Sequence, residues 1–317
     1  MIVTVTANPS VDRTLSVDRL TRGAVMRVAS SRSEPSGKGV NVALALHAHG
    51  LDSRAVLPVG GVEGGRLESL LRATGLDFVA VRIGGEIRSN VTIIESDGTA
   101  TKFNEPGPAI DEREIEALTE AAIRAGERAE WLVGCGSLPV GAPATFYAEL
   151  VAASRRTSAR IAVDTSGAAL AASLPAGPDL IKPNVSELAE VGRGPIETPG
   201  DVLAAARHLQ ELGARSVLAS LGPDGAVLVE EGGDAVHGEA HVADPRNTVG
   251  AGDALLAGFL AGGASGTGAL RTALTWAAAA VRLPGTVLSA DTGVVPAKVV
   301  VHDRLEVKRR LRHACLA

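Results

Sequence analysis

Short apolar runs rich in Val, Ile and Leu alternate along this chain with longer Ala- and Leu-rich stretches. That alternation predicts an α/β fold in which helices cover a largely parallel sheet. Strands are predicted near 2–7, 54–59, 131–135, 160–164, 179–182, 216–220 and 226–229. Helices are predicted near 40–49, 65–74, 111–128, 144–155, 185–191, 201–212, 253–263 and 267–281. Two places break the pattern, residues 11–34 and 78–104, where Thr, Val and Ile mix with polar residues and Asp97-Gly98 marks a hairpin turn. Both read as β-ribbon. They are expected to pair into a small sheet beside the main layer, a lid over a substrate, within one domain spanning residues 1–317.

Composition supports this picture and narrows the partners. With 45% hydrophobic residues, 37 Gly and 2% aromatics, the chain suits tight turns and close helix packing on a sheet of small aliphatic side chains. A net charge of −5 gives no general attraction to nucleic acid or to an anionic membrane surface, so neither is expected as a partner. An anionic small substrate therefore needs locally placed cations. Cys135 and Cys315 are too far apart in sequence to suggest a disulfide framework or a metal cluster, which fits a reducing cytoplasm. The start, Met1-Ile-Val-Thr-Val-Thr-Ala7, alternates like a strand and lacks the pattern of a signal peptide. No apolar run approaches the ~18 residues of a membrane span.

The strongest chemical signal is Arg246-Asn-Thr-Val-Gly-Ala-Gly-Asp253, followed at once by an apolar helix. Small residues at Gly250, Ala251 and Gly252 let successive backbone N–H groups converge on an anion at a helix N-terminus, where the peptide dipoles also favour negative charge. Asp253 at the mouth of such a site can take a proton from an attacking hydroxyl while the amides stabilise charge on a transferred phosphoryl group. The alternative is a tight glycine turn with Asp253 serving only the helix start. A second glycine loop, Ser36-Gly37-Lys38-Gly39-Val40-Asn41, also feeds a helix. Lys38 can hold a phosphate as a point charge, the glycines let a sugar approach the backbone, and Asn41 can bond sugar hydroxyls. The alternative there is a helix start with a solvated lysine.

Taken in order, Asn8-Pro9-Ser10-Val11-Asp12, Gly37–Ala43, Gly136-Ser137-Leu138-Pro139, Lys182-Pro183-Asn184 with Glu187, Ser220–Gly225 and Asn247–Asp253 resemble a specific group of enzymes. The group is the 1-phosphofructokinase, tagatose-6-phosphate kinase and minor 6-phosphofructokinase branch of the ribokinase-like (PfkB) carbohydrate kinases, and the resemblance runs from about residue 2 to 295. It implies a ribokinase-like three-layer α/β/α sandwich with a small β-sheet lid, and Asp253 as catalytic base. It implies that Asp12, Gly37, Lys38, Gly39, Asn41, Arg88 and Asn90 face a sugar phosphate, with Arg27 as a further phosphate ligand. Lys182, Asn184, Ser220, Gly222, Gly225 and Thr248 are implied for ATP. Glu187 is implied to act on Mg²⁺ through water, although three residues after Asn184 it also fits a capping box.

Lys38, Arg88-Ser-Asn-Val91 and Lys102-Phe-Asn104 look most like the enzymes acting on fructose 1-phosphate. Ser36 where glycine is common, Ala254 where serine is usual, and the tail beyond about 300 depart from the pattern. Fructose 6-phosphate, tagatose 6-phosphate and a catalytically silent sugar-phosphate sensor remain the rival readings. A homodimer through the lid is expected, because a small isolated sheet leaves an apolar face open.

Overall fold

A computed structural model describes residues 1–192, 194–243, 245, 248–283, 298–302 and 304–312. Arg246 and Asn247 of the anion-loop motif and Cys315 lie outside the described residues. The chain begins β1 (Ile2–Thr6), β2 (Ser10–Ser16), β3 (Ser30–Ser36), α1 (Lys38–Ala48), β4 (Ser53–Val59), α2 (Gly61–Thr74) and β5 (Asp77–Arg82). It continues through β6 (Arg88–Ile94), β7 (Ala100–Phe103), α3 (Glu112–Gly126), β8 (Trp131–Cys135), α4 (Phe146–Ser154), β9 (Arg160–Asp164), α5 (Gly167–Ser173) and β10 (Leu180–Ile181). The remainder is α6 (Val185–Gly192), α7 (Pro199–Glu211), β11 (Ser216–Ser220), β12 (Ala226–Val229), β13 (Ala235–His241), α8 (Ala251–Ala261), α9 (Gly266–Ala280) and β14 (Lys298–His302).

Among the described residues the main sheet runs β14-β13-β12-β11-β10-β9-β8-β1-β4-β5. From β5 to β11 every neighbour is parallel, and β12, β13 and β14 extend the sheet antiparallel. Alternate strand residues feed two cores, as a sheet covered on both faces requires. Val3, Val5 and Leu132 pack with α2 to α7 on one side, whereas Ile2, Trp131 and Val133 pack with α8 and α9 on the other. Helix α1 serves both, through Val40 and Leu44 on the first side and Val42 and Leu46 on the second. His49 at its end stacks on Trp276 of α9, with ring centroids 3.7 Å apart. These layers are the α/β/α sandwich expected from the sequence.

The second sheet has the order β3-β2-β6-β7, so the two polar ribbon segments do join. Strands β2 and β6 pair in parallel, Ser10 with Arg88 through Ser16 with Ile94. The β6–β7 hairpin turns at Asp97-Gly98, where Gly98 takes φ +89° and Asp97 accepts from the Thr99 N–H. One boundary needs correction: the segment read as 78–104 begins too early. Asp77–Arg82 is the edge strand of the main sheet, paired with β4, and the small sheet starts at Arg88. Only half-buried, an edge strand carries the same mixed polarity as a ribbon. The parallel strands of the main sheet bring the motif-bearing loops together. β1, β8, β9, β10 and β11 all point their carboxyl ends at one margin of the sheet, where ligands of open α/β sheets bind.

Gly39 fixes how closely α1 approaches that margin, because a Cβ there would overlap Thr6 Oγ1 and lie 3.2 Å from the Val5 carbonyl oxygen. Alanine ordinarily stabilises a helix relative to glycine by ~0.5–1 kcal/mol. Here Gly39→Ala is expected to cost about 1–3 kcal/mol through overpacking. Urea unfolding gives the sign, and a gain in stability would show that the contact yields.

Candidate active site

Strand ends and the starts of three helices, α1, α6 and α8, carry most of the candidate residues. Gly37, with φ +124°, turns the chain from β3 into α1 where a Cβ would press 2.7 Å from Thr6 Cγ2. Gly250, with φ +78°, turns it into α8. With Gly250 in the capping position, Asp253 stands in the first turn of the helix. Its carboxylate Oδ2 accepts a hydrogen bond from Asn41 Nδ2 at 2.8 Å, across the contact between α1 and α8. Asp253 is buried, and that burial, followed by the nearby Asp164 charge, pushes its pKa up to about 6 against the opposing effects of Asn41, Lys38 and Lys182. A buried carboxyl titrating near neutrality is the property a general base needs.

Asp164 at the end of β9 is the centre of the charge network, and the motif reading missed it. It is wholly buried and lies between two ammonium groups, Lys38 Nζ at 2.8 Å from Oδ1 and Lys182 Nζ at 3.2 Å from Oδ2. Burial alone raises a carboxyl pKa, but the two lysines prevail and hold Asp164 below its ordinary value. Burial likewise works against the Lys38 ammonium, and the carboxylates of Asp164, Glu187 and Asp253 outweigh it, leaving Lys38 firmly protonated. Lys38 Nζ is also 3.8 Å from Glu187 Oε1. Lys38, expected to face a sugar phosphate, thus stands among the carboxylates of Asp164, Glu187 and Asp253. Lys182 lies over the anion loop, with Nζ 3.4 Å from where a Cβ on Gly252 would stand.

Glu187 and Asn184 form the reciprocal cap that their spacing allowed. Glu187 Oε2 accepts from the Asn184 N–H at 2.8 Å, and Asn184 Oδ1 accepts from the Glu187 N–H at 3.0 Å. Oε1 of Glu187 is left facing Lys38. Mg²⁺ keeps several waters and takes one or two carboxylates together with substrate phosphates. A single carboxylate oxygen of this kind fits contact through water and does not form a closed cage. Asn184 bridges to Ser220, whose N–H donates to the Pro183 carbonyl at 2.9 Å. Beyond Ser220 the chain turns through Gly222, with φ +58°, to Gly225, with φ +82°. Thr248 is exposed just before α8, and its carbonyl accepts from the Ala251 N–H.

A second cluster lies toward the small sheet. Asn90 Nδ2 donates to Asp12 Oδ1 at 2.9 Å across the β2–β6 pair, and Ser10 Oγ donates to the same oxygen at 2.7 Å within β2. Arg88 donates to the carbonyls of Asn8 at 2.9 Å and Glu105 at 3.1 Å, and its buried Nε has no partner. Ser137, after β8, is in reach of Asn8 Nδ2 at 3.4 Å and Arg88 Nη2 at 3.5 Å. Arg27 is different. It is exposed in the loop joining β2 to β3, and among the described residues no hydrogen bond or ion pair links it to the other candidates.

The two lysines make a direct test of the Asp164 arrangement. Asp164→Asn preserves size while leaving the buried Lys182 ammonium and the half-buried Lys38 ammonium without their shared anion. Removing one partner from a buried ion pair typically costs ~3–5 kcal/mol, so urea unfolding at pH 7 should show a loss of that order. Since Asp164 is held below its ordinary pKa, its contribution in the parent is present above pH ~4 and is lost on further acidification. The parent and variant curves should therefore converge at low pH.

Comparison with known proteins agrees with this geometry. A 1-phosphofructokinase from Rhodobacter capsulatus is 42% identical over 265 residues, covering 82% of each chain. An ATP-dependent 6-phosphofructokinase isozyme 2 from Mycobacterium tuberculosis is 35% identical over 264 residues, covering 82% of this chain and 77% of its own. The solved structure of phosphofructokinase-2 from Escherichia coli superposes with a TM-score of 0.85 at 33% identity, covering 92% of this chain and 96% of the other. Residues 5–293 match the profile of the pfkB family carbohydrate kinases, and the chain belongs to that family.

Proposed function

We propose that the protein transfers the γ-phosphoryl group of ATP to a free primary hydroxyl of a ketose phosphate, with fructose 1-phosphate as acceptor and fructose 1,6-bisphosphate as product. The observation that carries this reading is the Asp253–Asn41 pair at the start of α8, a buried carboxyl with a pKa of about 6 beside a glycine anion loop. Asp253 takes the proton of the attacking 6-hydroxyl, and the amides of Gly250, Ala251 and Gly252 face the phosphoryl group as it moves. Lys38 and Lys182, held by Asp164, place two positive charges at the same point. Phosphoryl transfer depends chiefly on such alignment and charge stabilisation. Mg²⁺, when bound, would neutralise nucleotide phosphate charge, and Glu187 would hold its water shell.

On the sugar side, Gly37, Gly39, Asn41, Asp12 and Asn90 serve the hydroxyls, and Arg88 serves the phosphate remote from the reacting oxygen. Lys182, Asn184, Ser220, Gly222, Gly225 and Thr248 serve ATP. The relatives named 6-phosphofructokinase support fructose 6-phosphate as the second reading. A coupled ADP assay with fructose 1-phosphate, fructose 6-phosphate and tagatose 6-phosphate separates these acceptors, and no ADP with any of them would support a silent sensor.

The small sheet serves as the lid, and its exposed apolar side chains support self-association there. Val25 is 97% exposed, Val28 47% and Phe103 55%. Sedimentation at micromolar concentration should show a dimer that Val25→Asp with Phe103→Asp converts to monomer, and a monomeric parent would reject the arrangement.

For the base itself, Asp253→Asn should reduce kcat at least ~100-fold while ATP and sugar-phosphate affinities stay within several-fold. Its effect on stability should have the opposite sign. A carboxyl near pH 4 when unfolded and near 6 when folded destabilises the fold by about 3 kcal/mol once pH exceeds 6, a penalty that appears between those values as pH rises. A neutral amide avoids it, so the variant should melt at a higher temperature than the parent at pH 7.5. Near-normal kcat in the folded variant would assign Asp253 to the helix start alone.

A further inference from the structure

Asp224 lies in the turn between β11 and β12 that carries Gly222 and Gly225, yet no step of the reaction uses it. Its side chain is 1% exposed. Its backbone carbonyl accepts from His237 Nε2 of β13 at 2.9 Å, and its carboxylate is met by a segment 85 to 88 residues further along the chain. Arg312 donates its backbone N–H to Oδ2 at 2.6 Å and brings its Nε to 3.3 Å from Oδ1, while Arg309 Nη2 stands 3.7 Å from Oδ1. The same two arginines reach Glu239 on β13, Arg309 through Nη1 and Arg312 through Nη2 at 3.8 Å.

That segment follows β14 and is tied to the body at several of its residues. β14 pairs with β13, and the Val307 carbonyl accepts from the Gly200 N–H at 3.0 Å. Arg310 pairs with Glu197 at 2.9 Å, and the Leu311 N–H donates to the Glu197 carbonyl at 2.8 Å. Leu311 is wholly buried in the main core. His237, Glu239 and His302 come close enough together to suggest a metal site. However, the Arg309 guanidinium already sits on Glu239, and His237 is engaged with Asp224, so this cluster is part of the same polar network.

We infer that residues 304–312 are a strap that positions the nucleotide turn, with Asp224, Arg309 and Arg312 as its positioning residues. The inference rests on the reading that Ser220, Gly222 and Gly225 serve ATP. The turn is built on two positive-φ glycines, and its own bonds are three short backbone contacts, Leu221 N–H to the Gly225 carbonyl, Asp224 N–H to Leu221 and Gly225 N–H to Gly222. Gly222 and Pro223 are exposed, whereas Asp224 points inward. The buried carboxylate is thus the root of the turn, and the strap neutralises its charge. A buried carboxylate left without its cations is costly, so the turn would relax to let Asp224 reach water and would lose its ordered backbone.

The test compares the full-length parent with Arg309→Ala/Arg312→Ala. The KM for ATP should rise roughly 5- to 50-fold, with the KM for fructose 1-phosphate within about twofold and kcat within severalfold. Hydrogen exchange measured without nucleotide should quicken in residues 218–226 while α1 and the small sheet keep their protection. The charge-preserving Arg309→Lys/Arg312→Lys pair should recover most of both effects. Unchanged exchange in the turn, or a uniform loss of both KM values, kcat and melting temperature, would overturn the strap. If the alanine pair does not accumulate as folded protein, Arg312→Ala alone carries the same criteria. Titration of the parent with a non-hydrolysable ATP analogue separates the two readings: no binding rejects the nucleotide assignment, while the exchange result still decides the anchoring.

Discussion

The site is organised around one buried carboxylate held between two ammonium groups. Asp164 is inaccessible to water, and an isolated carboxylate in that position would be driven to protonate. Lys38 from the first glycine loop and Lys182 from the end of β10 keep it charged, and in exchange it fixes where both loops end. Glu187 extends the alternation of sign by one more residue, and Asp253 stands close enough to feel Asp164 as a repulsive neighbour. Burial first, and then the same anion that orders the lysines, resist ionisation of Asp253 and raise its pKa. Lys38, Lys182, Asp164, Glu187 and Asp253 are therefore a single coupled system, in which changing one charge alters the proton affinity of the others.

Much of the scaffold was legible because parallel strands covered on both faces have no solvent side to break their apolar runs. β1, β4, β8, β9, β10 and β11 fall where such runs occur, as does the antiparallel β12. The failures have physical causes. α5, Gly167-Ala-Ala-Leu-Ala-Ala-Ser173, is two turns long and offers too little periodicity to register. β13, Ala235-Val-His-Gly-Glu-Ala-His241, carries its polar residues into the Asp224 network instead of into solvent, so it does not read as a strand of the main sheet.

The site divides in the same way. Glycine loops announce themselves because φ above zero and close backbone approach leave little choice of residue, as at Gly37 and Gly250. Side-chain partners do not. Asp164 follows Ile161-Ala-Val163 without any glycine signature, and nothing local shows that its carboxylate is buried or that lysines 126 and 18 residues away converge on it. Its place at the carboxyl end of a parallel strand, in line with the ends of β1, β8 and β10, was the available clue. Glu187 had two readings in the sequence, and its cap with Asn184 uses one oxygen while leaving the other free for a second task.

The parallel pairing of β2 with β6 has a consequence for how the chain is made. Ser10 must wait for Arg88, so β1, α1, β4, α2 and β5 are all synthesised before the small sheet can close. Such long-range parallel pairing is slow because loop-closure entropy precedes any reward. Yet every strand of the small sheet has been made by Phe103, well before Asp164, Lys182 or Asp253 exists. A chain emerging from the ribosome thus has its small sheet in outline while the end of β9 and the start of α8 are still untranslated, and Lys38 waits without its anion until β9 arrives.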